Sequence, residues 1–223
     1  MIRESDVFHQ NQIFANNQTS QDDFWEGLNL GNETRLKVSI FCYPHAPIHS
    51  LLSAMAESNQ RIECYVPESS ILPKVADFFG QTTLSAGEKY RHKNLCLHVL
   101  PFLNQAGYDR LLTACDINFV RGEDSWLRAI WAGKPFIWQP YFQEENAHIK
   151  KLDAFLTLFY GDLNSEAPQK LHHAWVGERF SPSVWQDYLD QLAIITKHAL
   201  RQSQLLAQQT DLAAKLVIFC NKN

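Results

Sequence analysis

The sequence is poor in the features that would place it quickly. No apolar run approaches the roughly 20 residues that a membrane helix needs, and the opening MIRESDVFHQNQ is too polar for a secretory signal. No membrane partner is therefore expected. There is no G-x-G-x-x-G and no G-x-x-x-x-G-K-[ST], so neither a dinucleotide fingerprint nor a P-loop is supported. The five cysteines (42, 64, 96, 115 and 220) form no C-x-x-C pair, and the nine histidines are scattered. The His172–His173 pair lacks an acid or cysteine at ligand spacing, so no metal is expected. A basic tract is also missing: 20 basic against 24 acidic residues leave a net charge of -4, which speaks against a nucleic-acid partner. We find no internal repeat and no low-complexity segment.

What is present suits a globular chain with a sizeable core. Of the 223 residues 45% are hydrophobic, with six Trp and fourteen Phe for packing or for a ligand pocket. Several cysteines lie in apolar runs, as in SIFCY and IECYV, where a thiol behaves as a small hydrophobe. Their odd number and expected burial point to reduced thiols in a soluble cytoplasmic protein.

Residues 1–34 are mostly polar and read as a connector, with one short helix over SQDDFWEGL. From residue 35 a regular alternation begins. Strands are predicted at LKVSIFCY (36–43), RIECYVP (61–67), LCLHVLPF (95–102), INFV (117–120) and PFIWQ (135–139). Amphipathic helices separate them: PIHSLLSAMAES, SSILPKVADFFG with Ser69 as cap, GYDRLLTACD and SWLRAIWAG. This is the signature of a Rossmann-like parallel sheet covered on both faces. A helix over about 143–159 follows, then a polar loop holding Pro168, His172 and His173, and two C-terminal helices, SPSVWQDYLDQLAIITKHALRQSQLLAQQ and DLAAKLVIFCNKN.

Ligands bind open parallel sheets at the carboxyl ends of the strands. Four segments converge there: FCYPHAP, PFLNQAGY, RGEDS and QPYFQEEN. The RGEDS turn, Arg121 to Ser125, joins a buried strand to a helix start, where free N–H groups and the helix dipole attract anions. The guanidinium of Arg121 adds charge-assisted bonds to phosphate oxygens, and Gly122 lets the backbone come close. Asp124 or Ser125 can cap the helix, a role worth about 1 kcal/mol. A surface ion pair between Arg121 and Glu123 is the plainer alternative.

NFVRGEDSWLRAIWAGKPFIWQPYFQEENAHIKKLDAF, with SIFCYP and LPFLNQAGYDRLLTACD before it, resembles the bacterial protein-arginine rhamnosyltransferases that modify elongation factor P. The resemblance runs from about residue 2 to the C-terminus. It implies a GT-B architecture, in which the C-terminal of two Rossmann-like domains holds dTDP-β-L-rhamnose and the N-terminal one receives the acceptor arginine. It implies that Arg121, Gly122, Asp124 and Ser125 hold the donor diphosphate. Glu123 would face the sugar or the reaction centre as the catalytic carboxylate of an inverting transfer. The family's acceptor-activating aspartate motif lies in its N-terminal domain, and nothing in residues 1–34 matches it. The chain is therefore expected to be a donor-binding domain (35–223, with C-terminal helices) behind a connector, without the acceptor domain and inactive in transfer by itself.

For the nucleoside we single out Phe41, Tyr43, Phe102 and Tyr108, whose rings can stack on thymine or flank the ribose. Gln105 offers a donor and an acceptor to a pyrimidine edge, with Tyr141 and Gln143 as neighbours. Phe41 and Phe102 suit a core equally well, whereas Tyr43 and Tyr108 fall at loop edges. Trp126, Trp131 and Trp138 read as packing, and His172 and His173 as a solvated loop. Two other functions stay open: a GT-B domain for a different nucleotide sugar, and a nonenzymatic nucleotide- or partner-binding module.

Overall fold

The computed structural model describes residues 18–28, 30, 35–177, 180–209, 217 and 220. The sheet has six strands: β1 (Leu36–Ile40), β2 (Ile62–Pro67), β3 (Lys89–His92), β4 (Leu95–Leu100), β5 (Ile117–Arg121) and β6 (Phe136–Gln139), in the order β3-β4-β2-β1-β5-β6. The five strands read from sequence all form and pair in parallel, which makes the expected Rossmann-like fold. The sixth, β3, was not foreseen. Its residues KYRH are nearly all exposed and pair antiparallel to β4 at the sheet edge. An edge strand needs no apolar run, and charged side chains discourage further pairing there.

The α-helices among the described residues are α1 (Gln18–Gly27), α2 (Ile48–Ala56), α3 (Leu72–Phe78), α4 (Gln105–Ala114), α5 (Gly122–Ala132), α6 (Ala147–Tyr160), α7 (Ala167–Val176), α8 (Pro182–Asp190) and α9 (Leu192–Ala207). The apolar positions of α2 are its buried ones, Ile48, Leu51, Leu52 and Met55. They join Val38, Ile40, Cys64, Val66, Leu97 and Val99 of the sheet, with residues of α6 to α8, in the larger core. A smaller core on Tyr65 and Leu100 takes Phe24 and Trp25 of α1 and Leu111 of α4. The sheet is thus covered on both faces, as continuous apolar strands require.

Several local expectations are corrected. Helix α3 starts after Ile71, not at a Ser69 cap. The helix expected from 143 is a short 3-10 turn (Glu144–Asn146) followed by α6, because Glu145 and Asn146 take left-handed backbone angles that break the first turn. The polar loop around Pro168 is helix α7. Proline sits in its first turn, where a missing N–H costs nothing, and His172 is fully buried rather than solvated. The segment from Pro182 to Ala207 is two helices, interrupted at Gln191. The helix expected over DLAAKLVIFCNKN and most of the connector 1–34 lie outside the described residues, apart from α1. Cys42, Cys64, Cys96 and Cys115 are buried and free, as expected of small hydrophobes.

Strand order decides where the site lies. The chain moves outward from β1 through β2 to β4, then returns to the other side of β1 with β5 and β6. At such a reversal adjacent loops diverge and leave a crevice at the carboxyl ends. Here the crevice lies between the ends of β1 and β5, which pair Val38 with Ile117 and Ile40 with Phe119. Buried hydrogen bonds from Ser39 to Asn118 (2.5 Å) and from Asn118 to the Leu112 carbonyl (2.9 Å) tie the two strands to α4.

Candidate functional site

The RGEDS turn lies at that crevice. Arg121, the last residue of β5, is extended and stands at the N-cap of α5. Its guanidinium carbon lies 4.2 Å from the Phe41 ring centre and 5.0 Å from that of Tyr43. One N–H group donates to the Cys42 carbonyl at 3.2 Å. Two aromatic faces and a carbonyl therefore fix the plane of the cation. Among the described residues no carboxylate forms an ion pair with Arg121, so the plain alternative of an Arg121–Glu123 pair is not what forms. Asp124 instead bonds Arg128 (2.8 Å), whose guanidinium also grips both oxygens of Asp109 at 2.9 Å. That pair clamps α5 to α4.

Capping by Asp124 or Ser125 is also corrected. Arg121 is the N-cap residue and makes no side-chain cap hydrogen bond, and among the described residues no side-chain oxygen accepts from the first N–H groups of α5. Gly122 has φ +60, and a β-carbon there would lie 3.0 Å from the Tyr43 hydroxyl. Its carbonyl accepts from the Trp138 indole N–H at 2.7 Å, and Trp138 stacks on Trp126 with ring centres 4.5 Å apart. The tryptophans are packing, and they hold the helix start in place. Glu123 is exposed and has no hydrogen-bond or ion-pair partner among the described residues. Burial raises the Tyr43 phenol above its ordinary pKa; Arg121 opposes this, and the nearby Glu123 and Tyr141 add to it. Burial pushes the Cys42 thiol up to about 12, which keeps it neutral beneath the cation.

The aromatic residues divide into two groups. Phe41 meets Tyr108 edge-on at 5.4 Å, and Tyr43 meets Tyr141 edge-on at 5.8 Å. These four and Arg121 form one continuous group. Tyr108 is not at a loop edge. It lies in the first turn of α4 with its hydroxyl buried beside Ser125, and burial raises its pKa. Phe102 stands apart and is 79% exposed, so it is not core. Gln105 opens α4 and is exposed, after an Asn104 cap that accepts from the Gly107 N–H at 2.8 Å. Gln143 is half-buried, its backbone held near the His148 ring.

Sequence reasoning missed three contributors. His45 stacks on Tyr43 at 5.7 Å, Phe142 meets His45 at 6.2 Å, and Gln139 accepts the Tyr43 backbone N–H at 2.7 Å. Only Gln139 left a signal, as an amide closing the otherwise apolar strand PFIWQ. Elsewhere among the described residues, Glu63, Cys96 and His98 bring possible metal donors within 4.8 Å of one another on β2 and β4. Glu63 is already engaged there by His98 at 2.5 Å and by Arg35. Burial pushes its carboxyl up, but the hydrogen bonds from His98 and Arg35, with smaller contributions from the His98 charge and Cys96, together bring the group down to about 2.

Comparison with known proteins identifies the family. The family model for the elongation factor P (EF-P) rhamnosyltransferase EarP matches residues 1–221. The protein-arginine rhamnosyltransferase of Pseudomonas aeruginosa is 34% identical over 223 residues, covering 98% of this chain and 59% of its own length. That of Shewanella oneidensis is 33% identical over 230 residues, with 95% and 58% covered. The chain thus spans about three fifths of these curated relatives. A solved structure described as the basis for EarP-mediated arginine glycosylation of EF-P superposes with a TM-score of 0.86 at 30% identity, over all of this chain and 73% of that one. Anabaena Alr3699/HepE, solved with UDP-glucose, shares the fold alone, at a TM-score of 0.56 and 11% identity over 95% of this chain and 55% of its own. The chain belongs to the EF-P rhamnosyltransferase family.

Proposed function

We propose that the crevice between β1 and β5 binds dTDP-β-L-rhamnose, and that the chain is the donor-binding part of a cytoplasmic enzyme that transfers rhamnose to an arginine of elongation factor P. The observation that carries this reading is the Arg121 guanidinium, held in plane by Phe41 and Tyr43 at the N-terminus of α5 and, among the described residues, without a carboxylate partner. A fixed cation beside free N–H groups is complementary to a diphosphate. The Phe41, Tyr43, Tyr108 and Tyr141 rings offer faces and edges to the nucleoside, with Phe102, Gln105 and Gln143 at the rim.

In the transfer, a guanidine nitrogen of the acceptor attacks the anomeric carbon with inversion as the diphosphate departs. Arg121 and the helix N–H groups take up the charge that develops on the leaving group, a role that needs no metal. A guanidinium is a poor nucleophile because its lone pairs are delocalised and it stays protonated. Carboxylates must therefore activate it, and Glu123, exposed and without a partner among the described residues, is one that this chain places at the crevice. Bound donor without an oriented, activated acceptor has no near-attack geometry, so transfer requires donor and acceptor to be held together.

Calorimetric titration with dTDP-rhamnose, dTDP and UDP tests the reading. Binding of both thymidine compounds ahead of UDP is expected. Preference for UDP would point to another nucleotide sugar. Absence of nucleotide binding, with elongation factor P still captured, would make the chain a nonenzymatic partner module.

A further inference from the structure

Gln139 is the last residue of β6, paired in register with Arg121, and only 1% exposed. Its Oε1 accepts the Tyr43 N–H at 2.7 Å, which assigns the other end of the amide as Nε2. That Nε2 is buried and has no hydrogen-bond partner among the described residues. A buried amide left half-satisfied is less stable than an apolar side chain of similar size. The rest of the strand, Phe136, Ile137 and Trp138, is apolar and buried. Strand packing therefore gives no reason for an amide here, whereas the β1 loop does. The N–H it holds belongs to the residue whose ring lies 5.0 Å from the Arg121 guanidinium and whose hydroxyl borders Gly122.

We propose that Gln139 is a positioning residue: by holding the Tyr43 backbone it sets the Arg121 guanidinium for a nucleotide diphosphate. The inference rests on the diphosphate reading above. It joins three strand ends, those of β1, β5 and β6, into one binding element, and gives Gln139 a role without contact to the ligand.

The test is a double-mutant cycle on the 223-residue chain, with dTDP and thymidine as probes. Methionine keeps the length of glutamine and removes the acceptor. Gln139→Met should weaken dTDP roughly five- to tenfold, the equivalent of one hydrogen bond, and leave thymidine within about twofold. In the Arg121→Ala background it should have no further effect on dTDP, because it acts through the guanidinium. Equal losses for both probes, or losses that simply add, would overturn the inference and mark Gln139 as structural. If the native chain does not prefer dTDP to thymidine, the diphosphate reading falls and this inference with it. If Gln139→Met keeps the native preference, this inference alone falls. Should Gln139→Met lose its circular dichroism, Gln139→Glu replaces it, since a carboxyl still accepts from Tyr43. Its dTDP affinity should approach that of the native chain at acidic pH and fall behind as the carboxyl ionises beside Arg121. A ratio independent of pH would overturn the inference.

Discussion

Removing the Arg121 side chain separates the two halves of a nucleotide in a measurable way. The guanidinium lies 4.2 Å from the Phe41 ring and 5.0 Å from the Tyr43 ring and spends one N–H on the Cys42 carbonyl. It carries five N–H groups in all, so most of its donor capacity is open to a ligand. Losing hydrogen bonds to a charged group costs roughly 1.5 to 3 kcal/mol, which is about ten- to hundredfold in dissociation constant. Thymidine has no phosphate and should feel Arg121→Ala by no more than about twofold. Arg121→Lys refines the experiment. It restores the charge but not the planar fork or the double stack, and each cation–π contact at a partly exposed site is worth about 0.5 to 1 kcal/mol. Lysine should therefore recover only part of the loss. Calorimetry with dTDP and thymidine on the three proteins, checked by thermal unfolding, gives the answer. Equal weakening of both probes would show that Arg121 supports the fold. Full recovery with lysine would show that the stack on Phe41 and Tyr43 does not matter.

Other perturbations probe the remaining parts. Glu123→Gln should leave dTDP affinity nearly unchanged, because the side chain is exposed and has no partner among the described residues; in an enzyme that includes the acceptor domain it should lower turnover more than donor binding. Unaltered turnover would remove Glu123 from the chemistry. Gly122→Ala forces a β-carbon to 3.0 Å from the Tyr43 hydroxyl at φ +60, a strain of about 1 to 2 kcal/mol, and should weaken dTDP as Tyr43 is pushed aside. Native-like stability and affinity in that variant would refute the close approach. Burial holds His172 neutral in the fold, with its pKa lowered from 6.5 to about 4. The unfolded chain takes up this proton as pH drops below 6.5, whereas the folded chain does so only near 4. Stability should therefore be flat above 6.5 and fall between 6.5 and 4. By pH 5 the contribution from this group is about 2 kcal/mol. Urea unfolding at pH 7 and pH 5 should show that loss in the native chain and a smaller one in His172→Gln. Equal losses would mean that His172 does not titrate as its burial dictates.

Much of this protein was legible in its residues because the relevant signals are local. Apolar runs such as IECYV and LCLHVL report buried strands wherever they sit, and the spacing of Ile48, Leu51, Leu52 and Met55 reports a helix face. The RGEDS turn was readable as a strand end, a cation and a helix start because these are contiguous in the chain. Where local signals mislead, the structure differs. Pro168 and two histidines suggested a loop, but proline starts a helix well, and the surrounding Phe155 and Tyr160 enclose His172. Strand β3 leaves no such signal, because an edge strand needs no apolar pattern.

The composition of the site belongs to the tertiary structure alone. Phe41 and Arg121 are separated by about eighty positions and meet only because β5 returns to pair beside β1. Gln139 meets Tyr43 only because β6 then pairs beside β5. Strand order depends on burial summed over the whole sheet, and no window of sequence contains it. That order places two aromatic rings on Arg121, while Asp124 pairs with Arg128 one turn along α5, and so Arg121 stands as an oriented cation at the head of α5.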